Sequence, residues 1–441
     1  MNLTYELAIY LGWAISSVNL VFLFTLSIYY LCFWSMSGKP IEPVPHSDIK
    51  SKFAILIAAR NESNVIGNIF KSLQEQTYDK NYFDVWAIVE SEEDPTCQIA
   101  LDNGYHYFVR DRLTPDRKTK GFALQECIDY FQRENIKYDA YMIFDADNVI
   151  APNYVEVMND LRQTGVKVGL GYRNFTNANQ NWLTVGGAIL FDYMNQITSR
   201  GRSYLFHKAT LMGTGYYVDS DIIEEAGGWI FTGMTEDIQL TTYCYYNDIY
   251  MRYYPLVFFY DEQASDFKNV HLQHLRWLYG YFQRRKFIKK AGVKRDYHTK
   301  SLQNFMKFEF QFGIIPFVIF NVISILLLIA AIVLASLAVV NGKSSHYYGT
   351  IFTIAAWQIF VVYLVFAIPA FLVVFRDNKN LKLTKWNCFV AVTTYIFYFG
   401  DFVLAFFDGL FHPSKRTTWS KIEHKGEVTN EDAIKSMNDE Q

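Results

Sequence analysis

The stretch Ala140-Tyr141-Met142-Ile143-Phe144-Asp145-Ala146-Asp147 reads as an apolar, aromatic-rich β-strand that stops on an Asp-Ala-Asp triplet. Upstream, Phe53-Ala54-Ile55-Leu56-Ile57-Ala58 is another such run, followed by an amphipathic helix over Val65 to Gln76 and a strand over Val85-Trp86-Ala87-Ile88-Val89. A helix opens at Gln98 to Asp102, and a further one spans Lys118 to Arg133, just before Ala140. Continuous apolar strands alternating with polar helices are what a parallel sheet covered on both faces requires. Residues 50–270 therefore read as an α/β domain with a mostly parallel sheet, which binds ligands at the carboxyl ends of its strands.

Outside this domain the composition changes character. Apolar residues make up 51% of the 441 residues, yet the mean hydropathy is only +0.01, so the apolar residues must lie in blocks. Residues 7–34 carry no charge and exceed the roughly 20 needed to span a bilayer, which predicts a transmembrane helix. The run is too long, and lacks the basic lead-in, for a cleaved signal peptide. Lys39, Lys50 and Lys52 follow it, whereas Met1 to Glu6 has no Lys or Arg, so the positive-inside rule puts the α/β domain in the cytoplasm.

Residues 271–311 begin with apolar positions (Leu272, Leu275, Leu278, Phe282) opposite basic ones (Arg276, Arg284, Arg285, Lys286), the pattern of an interfacial helix. Residues 312–340 and 351–375 predict two more spans, returning to the cytoplasm at the basic stretch 376–386. Residues 387–411 are long enough to cross but carry Asp401 and Asp408. Because charge at bilayer depth is costly, an interfacial or re-entrant helix is preferred to a transmembrane one. Residues 412–441 read as a cytoplasmic tail, and the whole as a multi-pass plasma-membrane protein. The net charge of −3 excludes a nucleic-acid partner held by bulk charge, and five dispersed cysteines suit a reduced compartment.

Three short motifs carry chemistry. Asp145 and Asp147 can turn both carboxylates toward one point; two hard oxygen ligands beside a diphosphate suit Mg2+ or Mn2+, though such triplets are also common solvated turns. Thr235-Glu236-Asp237 precedes the helical stretch Ile238 to Tyr246, so Thr235 is placed as its cap. The acids then either complement the helix dipole or supply a general base. Gln273, Arg276 and Trp277 fall within one helical turn, which gives an amide, a planar donor fork and a large ring to one pocket, or else an interfacial Trp with snorkelling Arg. His271 and His274, one turn apart with Glu262 upstream, admit a zinc site, against the plainer reading of ordinary interfacial residues.

In their order and separation, Ile57-Ala58-Ala59-Arg60-Asn61-Glu62, Asp145-Ala146-Asp147, Thr235-Glu236-Asp237 and Gln273-His274-Leu275-Arg276-Trp277 make the chain resemble the family 2 glycosyltransferases. The resemblance is to their processive branch, which contains cellulose, hyaluronan and poly-N-acetylglucosamine synthases. It implies a GT-A type nucleotide-sugar-binding domain with transmembrane and interfacial helices. Ala58, Arg60 and Glu62 would line the uridine pocket. Asp145 would contact the nucleotide and, with Asp147, the metal. Lys118, Lys120 and Gly121 would reach the donor phosphates or sugar. Asp237 would be the catalytic base, with Glu236 on the acceptor side. Gln273 and Arg276 would hold the departing diphosphate, and Trp277 would stack under the acceptor. Gly213-Thr214-Gly215 would form the acceptor-side loop. Glu90 stands where the family usually has Asp after its second strand, so it either reaches further or leaves the uracil contact to another residue.

The implied reaction is a metal-dependent, inverting transfer from a UDP-sugar to a growing β-linked polysaccharide, with secretion of the chain. The alternative is a glycolipid synthase with a lipid acceptor. A non-enzymatic scaffold or channel is disfavoured by the intact Asp147, Asp237 and Arg276. The partners are thus a UDP-sugar, a glycan or lipid acceptor and membrane lipid, with homo-oligomerisation left open. Trp357, Tyr363, Tyr395 and Tyr398 would stack on a crossing glycan or form an aromatic belt.

Overall fold

The computed structural model describes residues 31–290 except Pro115, residues 345–413, and scattered positions within 10–28 and 323–340. The spans expected at 7–34 and 312–340 lie largely outside the described residues, as do 291–311 and 414–441.

Strands β1 (Phe53–Ala58), β2 (Phe83–Val89) and β3 (His106–Val109) alternate with helices α1 (Ile66–Gln74), α2 (Thr96–Asp102) and α3 (Lys120–Arg133), and β4 (Ala140–Asp145) follows. After β5 (Val149–Ile150) come α4 (Tyr154–Gln163), β6 (Val168–Phe175) and α5 (Trp182–Tyr193), which continues as a π-helical stretch (Met194–Gly201) into α6 (Arg202–Phe206). Next are β7 (Tyr216–Asp219), α7 (Ser220–Glu225), α8 (Glu236–Tyr246), β8 (Met251–Asp261) and α9 (Phe267–Lys290). The last described helices are α10 (Ser345–Leu381) and α11 (Lys385–Phe411).

The eight strands form one sheet in the order β3-β2-β1-β4-β7-β6-β8-β5. The parallel rhythm read from the sequence holds from β3 to β4. Beyond it the sheet is mixed, because β7 enters antiparallel to both β4 and β6, and β5 antiparallel to β8. β1 is apolar throughout because its two faces serve two cores: Ala54 and Leu56 pack toward α3, whereas Phe53, Ile55 and Ile57 pack toward α1. β4 repeats the pattern, with Tyr141 and Ile143 on the first face and Met142 and Phe144 on the second.

The helices α5, α9, α10 and α11 pack together against one side of this domain. Three glycines set their closest approaches. A Cβ on Gly186 of α5 would lie 2.4 Å from the Tyr398 ring of α11, one on Gly409 of α11 would lie 2.0 Å from the Tyr279 ring of α9, and one on Gly280 of α9 would lie 2.5 Å from Thr235 Cγ2. The end of α10 is tied to the sheet by polar contacts. The Tyr172 hydroxyl of β6 lies 2.9 Å from Asp192 Oδ1 and 2.9 Å from Asp377 Oδ2, and Asn174 Nδ2 donates to the Asn380 carbonyl.

Several expectations change here. The helix over 351–375 extends from Ser345 to Leu381, so the basic return loop shrinks to residues 382–384. Residues 387–411 lie within one unbroken helix. By length and apolarity, Phe352–Leu381 and Lys385–Phe411 are the two described helices able to cross a membrane. On 271–290 two of the basic residues turn inward, Arg276 into a cleft described below and Arg284 fully buried with its guanidinium 3.9 Å from the Tyr281 ring centroid, while Lys286 is exposed. Tyr395 and Tyr398 are buried in helix packing rather than presented as sugar platforms.

Candidate active site

The carboxyl ends of β1, β2 and β4 open onto a cleft of about 400 Å3. Its rim beside β1 and β2 is charged. Arg60 pairs with Glu90 and donates to the Lys118 carbonyl at 3.3 Å, while Arg110 holds Glu90 at 3.3 Å and Glu126 at 2.9 Å. Glu90 is thereby fixed at the end of β2 between two guanidinium groups.

The floor is built where α3 begins and β4 ends. Thr119 caps α3 from an extended conformation and donates its hydroxyl to the Thr232 carbonyl at 2.9 Å. Gly121 allows this approach, since a Cβ there would lie 2.2 Å from the Phe231 carbonyl oxygen. The next side chain, Lys120, pairs with Asp145 and donates to the Gly213 carbonyl at 2.9 Å. Burial works against the charge on both partners, but their mutual attraction prevails: the Lys120 ammonium is held above its ordinary value and the Asp145 carboxyl below its own.

Asp147 stands in the opposite situation. Burial, then the neighbouring Asp261 and Asp145 carboxyls, push it well above the usual carboxylate range. Asn148 ties the group together, its amide donating to Asp261 at 3.2 Å, and Arg173 grips Asp261 through Nε at 3.0 Å. A half-buried carboxyl crowded by two others, all with hard oxygens, fits a divalent cation that would let it ionise. Among the described residues no three His, Cys, Asp or Glu are already grouped to hold a metal. Such an ion would complete its shell from water and phosphate, as Mg2+ and Mn2+ do.

Glu236 and Asp237 form the first turn of α8. Burial pushes the Asp237 carboxyl up to about 6 and, with Asp237 beside it, the Glu236 carboxyl up to about 8. The expected cap is not made: the Thr235 side chain caps no backbone N–H, because it is wedged against Gly280 of α9. Gly213, with φ of +87°, passes close to the acid; a Cβ there would lie 3.9 Å from Asp237 Oδ2. From α9, Gln273, Arg276 and Trp277 face the same cleft. Burial pulls the Arg276 guanidinium below its ordinary value, and the facing Asp145 and Asp237 carboxylates, joined by Glu236 when it ionises, oppose that loss. An Arg so placed stays charged and can hold a planar anion.

Beyond Asp237 the lining turns apolar: Leu190 and Phe191 of α5, Met194, Leu211, and Phe399 and Phe402 of α11. Trp277 stands between the two halves, edge-on to Phe191 at 5.4 Å and near-parallel to Phe402 at 6.5 Å.

The positions given donor, metal, base and acceptor roles in the sequence line this cleft except Gly121, which packs beneath it against the Phe231 carbonyl, and Thr214 and Gly215. Thr214 is buried beneath it, accepting from the Asp145 backbone N–H at 2.9 Å, and Gly215 packs where a Cβ would meet the Phe259 ring at 2.1 Å. Their expected acceptor contacts therefore reduce to Gly213, because the chain dives into the sheet to start β7. His271 and His274 are not grouped for zinc; both are engaged by Asp401 of α11. The sequence reading missed Asp261, Arg173 and Arg110. Asp261 carried a usable signal, since Tyr260-Asp261 ends an apolar strand just as Phe144-Asp145 does.

Residues 51–280 match the family model described as glycosyltransferase like family 2. The chain is 27% identical over 239 residues, 52% of its own length and 55% of the relative's, to the probable glycosyltransferase YdaM of Bacillus subtilis. It is 27% identical over 275 residues, 60% and 56% of the two lengths, to a beta-monoglucosyldiacylglycerol synthase of Nostoc sp.. The chain thus spans little more than half the length of these relatives. Among solved structures, a mannosyltransferase from Pyrobaculum calidifontis, in complex with GDP-Man and Mn2+, superposes with a TM-score of 0.57 at 15% identity, covering 78% of this chain and 96% of that one. That likeness establishes the GT-A type fold. With more than half its residues inside the matched model, the chain belongs to the family 2 glycosyltransferases.

Proposed function

We propose that the protein transfers a sugar from a UDP-sugar to a lipid-borne acceptor at a membrane surface, with inversion at the anomeric carbon. The observation that carries this reading is the division of the cleft. Its charged half offers Lys120, Asp145, Asp147 and Arg276 to a nucleoside diphosphate, and its apolar half runs to Phe399 and Phe402 on a helix apolar enough to enter a bilayer. A nucleotide-sugar enzyme with a purely soluble acceptor has no need of the second half. The glucosyldiacylglycerol synthase among the relatives supports the same acceptor class.

In this mechanism Arg60 and Glu90 frame the base and ribose, with Ala58 and Glu62 beside them. Asp147, with Asp145 and Asp261, would hold Mg2+ or Mn2+, which offsets charge on the diphosphate. An acceptor hydroxyl attacks the anomeric carbon, the bond from that carbon to the diphosphate oxygen breaks, and the hydroxyl proton passes to Asp237. Arg276 and Gln273 stabilise the negative charge that grows on the departing UDP. Asp237 is suited to the role because burial brings its carboxyl up to about 6, near working pH yet still ionised. In a single displacement no second nucleophilic carboxylate is needed, so an α-linked donor gives a β-linked product.

A second reading, elongation of a β-linked glycan, is favoured by Trp277, whose ring stands at the acceptor end as a platform for a sugar. In either case the positions of Lys39, Lys50 and Lys52 support a cytoplasmic catalytic domain on a multi-pass membrane protein. The deciding experiment supplies labelled UDP-glucose and UDP-N-acetylglucosamine separately to protein in lipid nanodiscs with Mn2+ or Mg2+. A single lipid-extractable product is expected. A polydisperse high-mass product would replace the lipid reading with the processive one, and no transfer from any UDP-sugar would overturn both.

A further inference from the structure

Helix α11 contains only two acidic residues, Asp401 and Asp408, two turns apart on one face. Each meets histidine. His271 Nδ1 lies 2.7 Å from Asp401 Oδ1 and its Nε2 lies 3.3 Å from Asp408 Oδ2. His274 Nδ1 lies 2.8 Å from Asp401 Oδ2, and His412 Nδ1 lies 2.7 Å from Asp408 Oδ1. Asp401 and His274 are the buried pair, 2% and 0% exposed, whereas His412 is open to solvent. Both oxygens of Asp401 are therefore taken by two imidazoles one turn apart on α9.

A carboxylate inside an apolar helix contact is expensive unless both oxygens are satisfied, so this contact is tolerated in one rotation of α9 against α11 and penalised in others. Packing alone would not impose that, because apolar faces slide at small cost. The rotation matters because Gln273, Arg276 and Trp277 occupy the same two turns of α9 as the histidines. The His274 ring is also stacked on Phe402 at 4.0 Å and lies 5.6 Å from the Trp277 ring, so it joins the polar grip to the cleft wall.

We propose that Asp401 is a positioning residue: through His271 and His274 it locks the rotation of α9 so that Arg276 and Trp277 point into the cleft. The inference rests on the functional reading of Arg276 and Trp277 given above. It assigns a role to Asp401, the buried acid of α11, and it makes the apolar helix part of the machinery rather than an anchor.

The test compares Asp401→Leu, Asp401→Asn and Asp408→Asn in the full chain in nanodiscs, measuring kcat for transfer and, separately, UDP affinity by calorimetry. Misplacing a transition-state contact by about 1 Å costs on the order of 100-fold. Asp401→Leu is expected to lose kcat on that scale with UDP affinity kept, Asp401→Asn to recover part of it, and Asp408→Asn to stay near wild type. A folded Asp401→Leu protein with wild-type kcat would overturn the proposal. So would equal loss of kcat and UDP affinity, the mark of general damage. If Asp401→Leu does not fold, His274→Phe keeps the ring stack and removes the hydrogen bond, and a wild-type kcat there overturns the proposal equally. Arg276→Ala, run in parallel, separates the two claims. If it is crippled while Asp401→Leu is not, positioning fails alone; if it too has wild-type kcat, the functional reading fails and takes this inference with it.

Discussion

Lys120 is ion-paired with Asp145 across the floor of the cleft, joining the first turn of α3 to the last residue of β4. In the proposed mechanism this ammonium, held by a carboxylate and a backbone carbonyl, would turn to an incoming diphosphate. Hydrogen bonds to charged groups are worth about 1.5–3 kcal/mol, so Lys120→Ala should raise the donor KM by roughly 10- to 100-fold. Steady-state kinetics with varied donor would show this, and an unchanged KM would remove Lys120 from the donor site.

The two acids of α8 should behave differently. With the Asp237 carboxyl raised to about 6 by burial, a base at this position works only when ionised, so the rate should climb as pH rises through 6 and then level off. Asp237→Asn should lose about 100- to 10,000-fold in kcat with UDP binding retained. Glu236, raised to about 8, carries its proton at neutral pH, so Glu236→Gln should keep most activity at pH 7. A pH-rate profile of the three proteins decides. Loss in Glu236→Gln with retention in Asp237→Asn would exchange their roles. Because both folded carboxyls bind protons more tightly than in an unfolded chain, they also make stability fall as pH rises from about 4 towards 8.

Metal binding should release protons. The Asp147 carboxyl is held well above its ordinary value by burial and by Asp261 and Asp145, and a divalent cation can bind it only as the anion. Calorimetric titration with Mn2+ in two buffers of different ionisation enthalpy should give different apparent heats, and affinity should rise with pH. Asp147→Asn should abolish the buffer dependence and weaken binding. Identical heats in both buffers would mean that Asp147 is already ionised or is not a ligand.

Gly121 is held by sterics rather than by its backbone angle. Ala is ordinarily the better helix former, but here its Cβ would meet the Phe231 carbonyl oxygen at 2.2 Å and Thr232 Cα at 2.8 Å, both backbone atoms. Overpacking of this kind costs about 1–3 kcal/mol. Gly121→Ala should therefore lower Tm and, by displacing the α3 terminus, weaken donor binding; a raised Tm would show that the loop at residues 231–236 yields freely.

In the proposed mechanism Trp277 serves acceptor binding rather than donor chemistry. Its ring packs against Phe191 and Phe402 of the apolar half of the cleft. Trp277→Ala should impair transfer to acceptor far more than hydrolysis of the donor by water. Equal loss of both, measured as UDP release with and without acceptor, would place the ring on the donor side.

Much of this arrangement was legible beforehand, for physical reasons. Apolar strands ending in acids, as in Phe144-Asp145, announce a sheet whose carboxyl edge carries charge, and the order of the motifs placed Lys120, Asp145, Asp237 and Arg276 around one cleft. The reversal of β7 was not legible, because Tyr216–Asp219 is equally apolar in either direction and its orientation is decided by pairing with β4 and β6. Asp261 and Arg173 escaped notice for a related reason: they reach Asp147 through strand neighbours far apart in sequence. Thr235 looked like a cap because local propensity says so, and tertiary contact with Gly280 overrode it. The acids of α11 were noticed as a difficulty, but their solution required knowing that α9 lies alongside.

The bare glycine contacts at 186, 280 and 409 give the protein a fixed gauge. With α5, α8, α9 and α11 seated this closely, any side chain larger than hydrogen at these three positions would push the Asp237 helix and the apolar helix out of register. On the lipid-acceptor reading proposed above, that spacing would act as a ruler, selecting an acceptor by the distance between its greasy anchor and its reactive hydroxyl.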